Sequence, residues 1–165
     1  MGLKNNTVHL ETNYELWKKM FEKEKEKLNN LFIKDNYSIE HVGSTSIKGL
    51  SAKPIVDIAI GVNNLNNFKK YKTNLEKIYT IKENTENNEI LLIKENEIET
   101  FFLIHVLEKN SKRYKNMIIF RNILNNNARI LKKYEKLKKN LSEKYPNNRK
   151  KYTELKNDFI KDILK

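Results

Sequence analysis

The chain of 165 residues contains no cysteine. This absence excludes a disulfide scaffold, thiol catalysis and any cysteine-ligated zinc or iron–sulfur site. No stretch approaches the roughly 18 consecutive apolar residues that a membrane span needs, and residues 1–5 lack the apolar region of a signal peptide. We therefore expect a soluble, cytoplasmic protein without a membrane partner.

Arginine is also scarce, because it supplies only four of the 33 basic residues. The formal net charge is +12, and it is unevenly placed: residues 109–165 hold 18 basic and 5 acidic side chains, whereas residues 1–108 hold 15 and 16. A basic field of this kind favours a polyanionic partner such as nucleotide phosphates or an acidic small molecule. Solvated lysine surface is the alternative, since the chain is rich in Asn and Ile as well, which is the joint bias of AT-rich coding DNA.

The pattern of apolar residues predicts one α+β domain over residues 1–165. Thr12-Asn13-Tyr14-Glu15 has the spacing of a capping box, and an amphipathic helix is predicted behind it. The order of elements is α, β, β, α, β, β and then helices, which indicates a small mixed sheet with a helical C-terminal part. The further elements are predicted as strands at Ser38–Val42, 55–62, Glu89–Lys94 and Thr100–Glu108, a tight hairpin at Asn96, a polar helix through Phe68, Tyr71, Leu75 and Ile78, and helices from Ser111 onward that are interrupted at 145–148.

Two regions differ in character. The sheet core is predicted at about residues 12–108 and the basic helical part at about 109–165. No internal repeat or recognised nucleic-acid-reading motif is present, and the tyrosines of the basic part fall on apolar stripes. These features argue against a nucleic-acid partner, and the oligomeric state is not indicated.

Asp57 is the most anomalous residue, because it interrupts the otherwise apolar strand 55–62. A carboxylate buried there without a partner would cost several kcal/mol. It must therefore meet a cation or a metal ion, or open into a cleft. A structural ion pair with an arginine is the alternative to a functional role.

Fourteen residues upstream, Gly43 is followed by the hydroxyl residues Ser44, Thr45 and Ser46. A glycine turn at the end of a strand offers free backbone N–H groups and allows a phosphate to approach closely. A carboxylate on the next strand then suits a divalent cation that bridges the phosphates. Together the two segments predict a site for a phosphorylated ligand.

These residues also resemble a known signature. Ile39-Glu40-His41-Val42-Gly43-Ser44-Thr45-Ser46-Ile47, followed by Ala52-Lys53-Pro54-Ile55-Val56-Asp57-Ile58, is similar to the signature of the GrpB family of the nucleotidyltransferase superfamily. The likeness continues through Phe120-Arg121-Asn122 and the helices beyond Tyr134, and it covers roughly residues 12–164.

The resemblance implies a nucleotidyltransferase-like fold in which the Gly43-Ser44 turn opens a helix and holds a triphosphate. Asp57 matches the first carboxylate of the superfamily's Asp-x-Asp pattern, so it becomes the candidate catalytic and metal-binding residue. Position 59 is alanine, so the second carboxylate is missing, as it often is in GrpB-like sequences. On the later strand, where the family commonly has His-x-His, this chain has Leu103 and His105.

Asp57 and His105 are therefore the candidate metal ligands, for Mg²⁺ or Mn²⁺ and also for Zn²⁺, which suits imidazole better. Two-metal phosphoryl transfer normally needs bridging carboxylates, and the strand around His105 has none within it. Whether the chain is an enzyme is thus left open by its sequence.

Other polar residues complete the candidate site. Thr45, Lys53 and Arg121 are expected to contact phosphate, with surface exposure or a core carboxylate partner as the alternatives. His41 is expected either in the cleft or as a hydrogen-bonded structural residue. Four basic residues, Lys109, Lys112, Arg113 and Lys115, follow the His105 strand and could face a polyphosphate or lie in an exposed loop.

Two functional hypotheses follow. The first is binding of a nucleoside triphosphate or another phosphorylated small molecule with a divalent metal, with nucleotidyl transfer to a small-molecule acceptor. The second is a catalytically degenerate domain that binds a nucleotide, a metabolite or a protein partner and transfers nothing. Ala59 favours the second hypothesis.

Overall fold

The computed structural model describes residues 2–4, 6–35, 37–84, 86 and 88–165. Its strands are β1 (Leu3–Lys4), β2 (Ser38–Val42), β3 (Val56–Val62), β4 (Thr80–Asn84), β5 (Glu89–Glu95) and β6 (Glu99–Glu108). Its helices are α1 (Tyr14–Leu31), α2 (Leu65–Phe68), α3 (Lys72–Leu75), α4 (Lys112–Asn126), α5 (Ala128–Lys144) and α6 (Arg149–Ile163). Within the described residues, none of these helices combines the length and apolar character that crossing a membrane requires.

The six strands form one mixed sheet in the order β2-β3-β6-β5-β4, and β1 pairs with the start of β6. The central strands β3 and β6 are parallel, whereas the other neighbouring pairs are antiparallel. The predicted α+β class, with a mixed sheet, flanking helices and a helical C-terminal part, is confirmed.

Alternation along β3 and β6 assigns their side chains to two faces of the sheet. On one face, a cluster that includes Val56, Ile58 and Ile104 packs against α1 through Trp17 and Phe21. The opposite face carries residues 57, 59, 103 and 105 and is covered by α4, α5 and α6. The strand pattern thus directs the polar residues of the central strands toward the basic helices.

Most predicted elements are confirmed, including the Asn96 turn, where the Asn96 side chain accepts hydrogen bonds from the N–H groups of Ile98 and Glu99. The capping box is wrong: α1 begins at Tyr14, and its N-cap residue Asn13 makes no side-chain capping bond. Thr12 therefore lies outside the helix.

The region between β3 and β5 also differs from its prediction. The polar helix is replaced by α2 and α3 with a 3-10 turn at Lys69–Tyr71 between them, and the strand β4 follows. The sequence of β4 is mostly polar because it is an edge strand with four of its five residues exposed. Solvation on both faces removes the alternation that reveals a strand.

The segment before α1 connects distant parts of the chain. Leu3 and Lys4 pair with Thr100 and Glu99 of β6. Further along, the Val8 N–H donates to the carbonyl of Pro146 at 2.7 Å, and Val8 packs against the α5–α6 pair through Leu141 and Tyr152. This segment ties the sheet to the C-terminal helices.

Helix α5 holds the loop that leads into β3. Glu135 accepts hydrogen bonds from the Ser51 N–H and hydroxyl at 3.1 and 2.7 Å. The fully buried Lys138 ammonium donates to the Ser51 carbonyl and lies over the Tyr134 ring. Burial lowers the pKa of Lys138 to about 7, with the nearby Glu135 carboxylate opposing the shift. These contacts fix the start of the Asp57 strand.

Candidate functional site

An open cavity of about 1190 Å³ separates the second face of the sheet from the C-terminal helices. It brings together most of the site residues that the sequence predicts, which are Gly43, Ser44, Thr45, Lys53, Asp57 and His105. Helix α6 supplies much of the opposite wall, so the basic helices do face the residues of the neutral part of the chain.

Gly43 and Asp57 lie in direct contact at the floor of this cavity. Gly43 has a positive φ of +68°, and a Cβ atom there would lie 2.3 Å from Asp57 Oδ2. Both the backbone conformation and the missing side chain are therefore needed for the carboxylate to stand beside the turn. This explains why the turn begins with glycine.

The turn itself is shorter than the resemblance implies. Residues Ser44–Ser46 form one 3-10 turn and not the start of a longer helix. It is closed by Ser46, whose N–H and hydroxyl donate to the Gly43 carbonyl at 3.3 and 2.7 Å. Gly43 and Ser44 border the cavity at a turn and bring no helix dipole with them.

A series of contacting charged side chains leads from Asp57 away from the cavity floor. Nε2 of His105 lies 3.8 Å from Oδ1 of Asp57, and the His105 Nδ1 is hydrogen bonded to Glu89. Glu89 is 5% exposed and also pairs with Arg113 Nη2 at 3.2 Å. The sequence gives no signal for Glu89, because its contacts depend on the pairing of β5 with β6.

The pKa values of Asp57 and His105 are set by the charged groups around them. Burial alone would raise the pKa of Asp57, but hydrogen bonding to His105 and the charges of His105, Lys156 and Lys53 outweigh it and leave the pKa lowered. Burial would lower the pKa of His105, whereas Asp57 and Glu89 raise it above its usual value. Each group of the pair therefore favours the charged form of the other.

Two lysines stand over Tyr152 on the other side of the cavity. The ammonium of Lys53 lies 5.4 Å from the ring centroid and that of Lys156 lies 5.9 Å from it. Burial, with the charges of Lys156 and Arg149, lowers the pKa of Lys53 to about 7, and burial also lowers the pKa of Lys156. The sequence predicts no role for Lys156 or Arg149, because only the fold places α6 opposite β3.

His41 lies on the sheet face opposite to Asp57. It pairs with Ile58 across β2 and β3, and its ring stacks on Phe21 of α1 with centroids 4.8 Å apart. Its Nε2 is 3.0 Å from the hydroxyl of the buried Thr45, and burial lowers the pKa of His41 to about 4. Of the two alternatives for His41, the structure favours the hydrogen-bonded structural residue.

Arg121 is also engaged away from the cavity lining. Its Nη1 donates to Glu40 Oε2 and to the His41 carbonyl, each at 2.8 Å, which joins α4 to the edge strand β2. Of the two alternatives that the sequence leaves open for Arg121, a phosphate contact or a carboxylate partner, the structure shows the carboxylate partner. Of the four basic residues at 109–115, Lys112 and Arg113 line the cavity.

Position 59, where the superfamily has its second carboxylate, is closed to the cavity. Ala59 has no exposed surface and packs in an apolar cluster with Val42, Leu107 and Tyr114. A carboxylate there would lie under α4 among apolar groups, at a cost of several kcal/mol. The packing of this chain is therefore matched to alanine.

The donor set for a metal ion is correspondingly small. Within the described ranges, no group of three or more His, Asp or Glu side chains is arranged to hold one. Asp57 and His105 remain, and His105 is already hydrogen bonded to Glu89. This set does not fit a two-metal centre or a zinc site with three protein ligands.

Comparison with known proteins identifies relatives of the whole chain. The family model described as GrpB protein matches residues 7–165. The chain is 36% identical over 170 residues to the glutamate-rich protein GrpB of Alkalihalophilus pseudofirmus, covering 99% of this chain and 98% of that protein. It is 31% identical over 149 residues to the UPF0157 protein YqkA of Bacillus subtilis, covering 89% of this chain and 43% of that one.

A solved structure is similar as well. The crystal structure of the conserved protein GrpB from Enterococcus faecalis superposes with a TM-score of 0.75 at 26% identity, covering 90% of this chain and 95% of that chain. The likeness thus extends over most of the chain. The chain belongs to the GrpB family.

Proposed function

We propose that this chain binds a nucleoside triphosphate or another phosphorylated small molecule in the cavity between β3, β6 and α6. The observation that carries the proposal is the convergence of the Gly43-Ser44 turn with cations from three separate parts of the chain. Lys53 precedes β3, Arg113 lies on α4, and Lys156 lies on α6. Such convergence of positive charge around a glycine turn suits several phosphate groups.

The size of the cavity supports a ligand of this class. Its volume of about 1190 Å³ is above the roughly 300–1000 Å³ that is typical of small-molecule sites. The cavity therefore has room for a ligand of nucleotide size. Apolar and aromatic residues, among them Phe120, Tyr134 and Ile160, line it together with the cations. They could contact a base or another uncharged part of the ligand while the lysines hold the phosphates.

A divalent ion fits this site in one way. Mg²⁺ is commonly held by one or two carboxylates together with substrate phosphates and water, so Asp57 would hold a single Mg²⁺ or Mn²⁺ that arrives with the ligand. When bound, such an ion would neutralise charge on the phosphates. Asp57 is positioned for this by Gly43 beneath it and His105 beside it.

Isothermal titration calorimetry with ATP, GTP, CTP and UTP, each with and without Mg²⁺, tests the proposal. We expect at least one of them to bind and Lys156→Gln to weaken that binding by tenfold or more. The matched control is Lys132→Gln, which removes the same charge from an exposed position on α5 outside the cavity. The proposal fails if neither a nucleotide nor inorganic tripolyphosphate binds, or if both variants weaken binding equally.

Nucleotidyl transfer is the second candidate function, and the ionised Asp57 beside the phosphate turn is the observation that favours it. In this reaction an acceptor hydroxyl attacks the α-phosphate, the bond to the β-phosphate breaks, pyrophosphate leaves and the hydroxyl proton passes to solvent. We expect Asp57→Asn to abolish pyrophosphate release without unfolding the chain. Unchanged release in this variant would exclude a role for Asp57, and nucleotide binding with no release would leave a binding domain.

A further inference from the structure

The charges that line the cavity are strongly unbalanced. Two carboxylates, Asp57 and Glu154, face seven basic side chains, which are Lys53, Lys112, Arg113, Arg149, Lys150, Lys156 and Lys161. Six of the seven belong to the basic C-terminal part, which therefore places much positive charge around the cavity.

Only one of the two carboxylates lies among the cations. Glu154 is 51% exposed and has the ammonium of Lys151 3.8 Å away. Asp57 is 28% exposed, stands on the cavity floor against Gly43, and has the His105 ring 3.8 Å away. Asp57 is therefore the internal anion of the site.

The lysines opposite Asp57 lack a close partner of their own. Among the described residues, Lys53 and Lys156 form no salt bridge within 4 Å, and both ammonium groups lie over the Tyr152 ring. Both are half-buried. Half-buried ammonium groups without a carboxylate in contact are unfavourable unless an anion reaches them.

The charge of Asp57 nevertheless acts on them. It opposes the lowering of the pKa that burial imposes on Lys156 and on Lys53, and their charges in turn help to lower the pKa of Asp57. Asp57 thus compensates the two lysines from a distance. It does so incompletely, because it is one negative charge against several positive ones.

Provided that the proposed phosphorylated ligand binds here, we infer that Asp57 is the counter-anion of Lys53 and Lys156 in the free protein, and that polyphosphate binds these cations without a divalent ion. The phosphates take over the charge compensation that Asp57 supplies, and Asp57 then repels them. Divalent metal is accordingly not required for binding.

The inference predicts that a neutral residue at position 57 tightens metal-free binding. The probe is inorganic tripolyphosphate in EDTA, with ATP and adenosine in parallel to separate phosphate recognition from base recognition. We expect Asp57→Asn to bind tripolyphosphate about three- to tenfold more tightly than the unchanged protein, because a like charge is removed at close range. Glu154→Gln is the matched control, with less than a twofold change, since an exposed charge is screened.

The outcomes separate this inference from the proposed function. The inference is supported if tripolyphosphate binds in EDTA and Asp57→Asn strengthens that binding. If the variant does not fold, metal-free binding by the unchanged protein supports it. Binding that requires Mg²⁺, or that Asp57→Asn weakens in EDTA, overturns the inference and leaves the proposed function standing. If neither tripolyphosphate nor any nucleotide binds with or without Mg²⁺, the proposed function itself is wrong.

Discussion

The backbone of Gly43 lies so close to the Asp57 carboxylate that a Cβ atom at position 43 would stand 2.3 Å from Oδ2. This contact joins the end of β2 to the middle of the site. It also makes the placement of the carboxylate dependent on a residue that has no side chain.

Gly43→Ala should therefore displace Asp57 and destabilise the protein. Gly43 has φ +68° and ψ −171°, a region that is essentially restricted to glycine and costs an L-residue about 1–3 kcal/mol, and the overlap with the carboxylate adds to this cost. We expect a loss of at least 2 kcal/mol in urea unfolding and a change in phosphate binding. The matched control is Gly49→Ala, where φ is +81° and a Cβ atom would meet nothing within 4 Å, so equal losses in the two variants would contradict the steric argument.

Glu89 should position His105. Glu89→Gln removes a buried carboxylate that holds both His105 and Arg113, and we expect a loss of about 1–3 kcal/mol in unfolding free energy. Because Glu89 raises the pKa of His105, an NMR titration of the His105 ring should show a lower pKa in the variant. Glu83→Gln, which breaks exposed pairs with Lys69 and Lys72, should leave that titration unchanged.

Lys138 should make stability rise with pH. Its pKa is about 7 in the folded protein and about 10.4 in an unfolded chain, so the unfolded state binds more protons between these values. Unfolding free energy then increases with pH over that range, by at most about 1.4 kcal/mol per pH unit for this group. Urea unfolding between pH 7 and 10 should show the rise, and Lys138→Met should flatten it; an unaltered slope in Lys138→Met would show that another group causes it.

Lys53 should make phosphate binding depend on pH near neutrality. With a pKa of about 7, its ammonium is lost as the pH rises, and with it one of the charges that hold the ligand. Affinity for tripolyphosphate should fall between pH 6.5 and 8.5 more steeply in the unchanged protein than in Lys53→Arg, because arginine stays protonated. Identical pH profiles would remove Lys53 from the binding site; titration of the probe itself affects both proteins alike.

The sequence predicts the central part of this fold well. The strand 55–62 is conspicuous because apolar β-branched residues surround a single carboxylate, and its position on the cavity floor agrees with that anomaly. The helices after Ser111 are long and periodic, and they are confirmed with their break at 145–148. Elements that bury a wide apolar face can therefore be predicted from the spacing of apolar residues.

The sequence does not predict which residues face one another across the fold. His41 and Asp57 are both polar residues near the Gly43-Ser44 turn, yet strand alternation and the β2–β3 register place them on opposite faces. Glu89 and Arg149 reach the site only through the pairing of β5 with β6 and the docking of α6. Such contacts depend on tertiary packing, which a local pattern does not encode.

The hydrogen bond from Val8 to Pro146 has a consequence for the order in which the molecule assembles. The loop that this contact closes spans nearly the whole chain, so its closure carries one of the larger entropic costs in the fold. During synthesis the N-terminal segment has no docking surface until the α5–α6 turn has left the ribosome. The sheet and α1 can associate earlier, whereas the enclosed cavity is completed only after α5 and α6 have left the ribosome, so a nascent chain cannot hold a ligand there before that point.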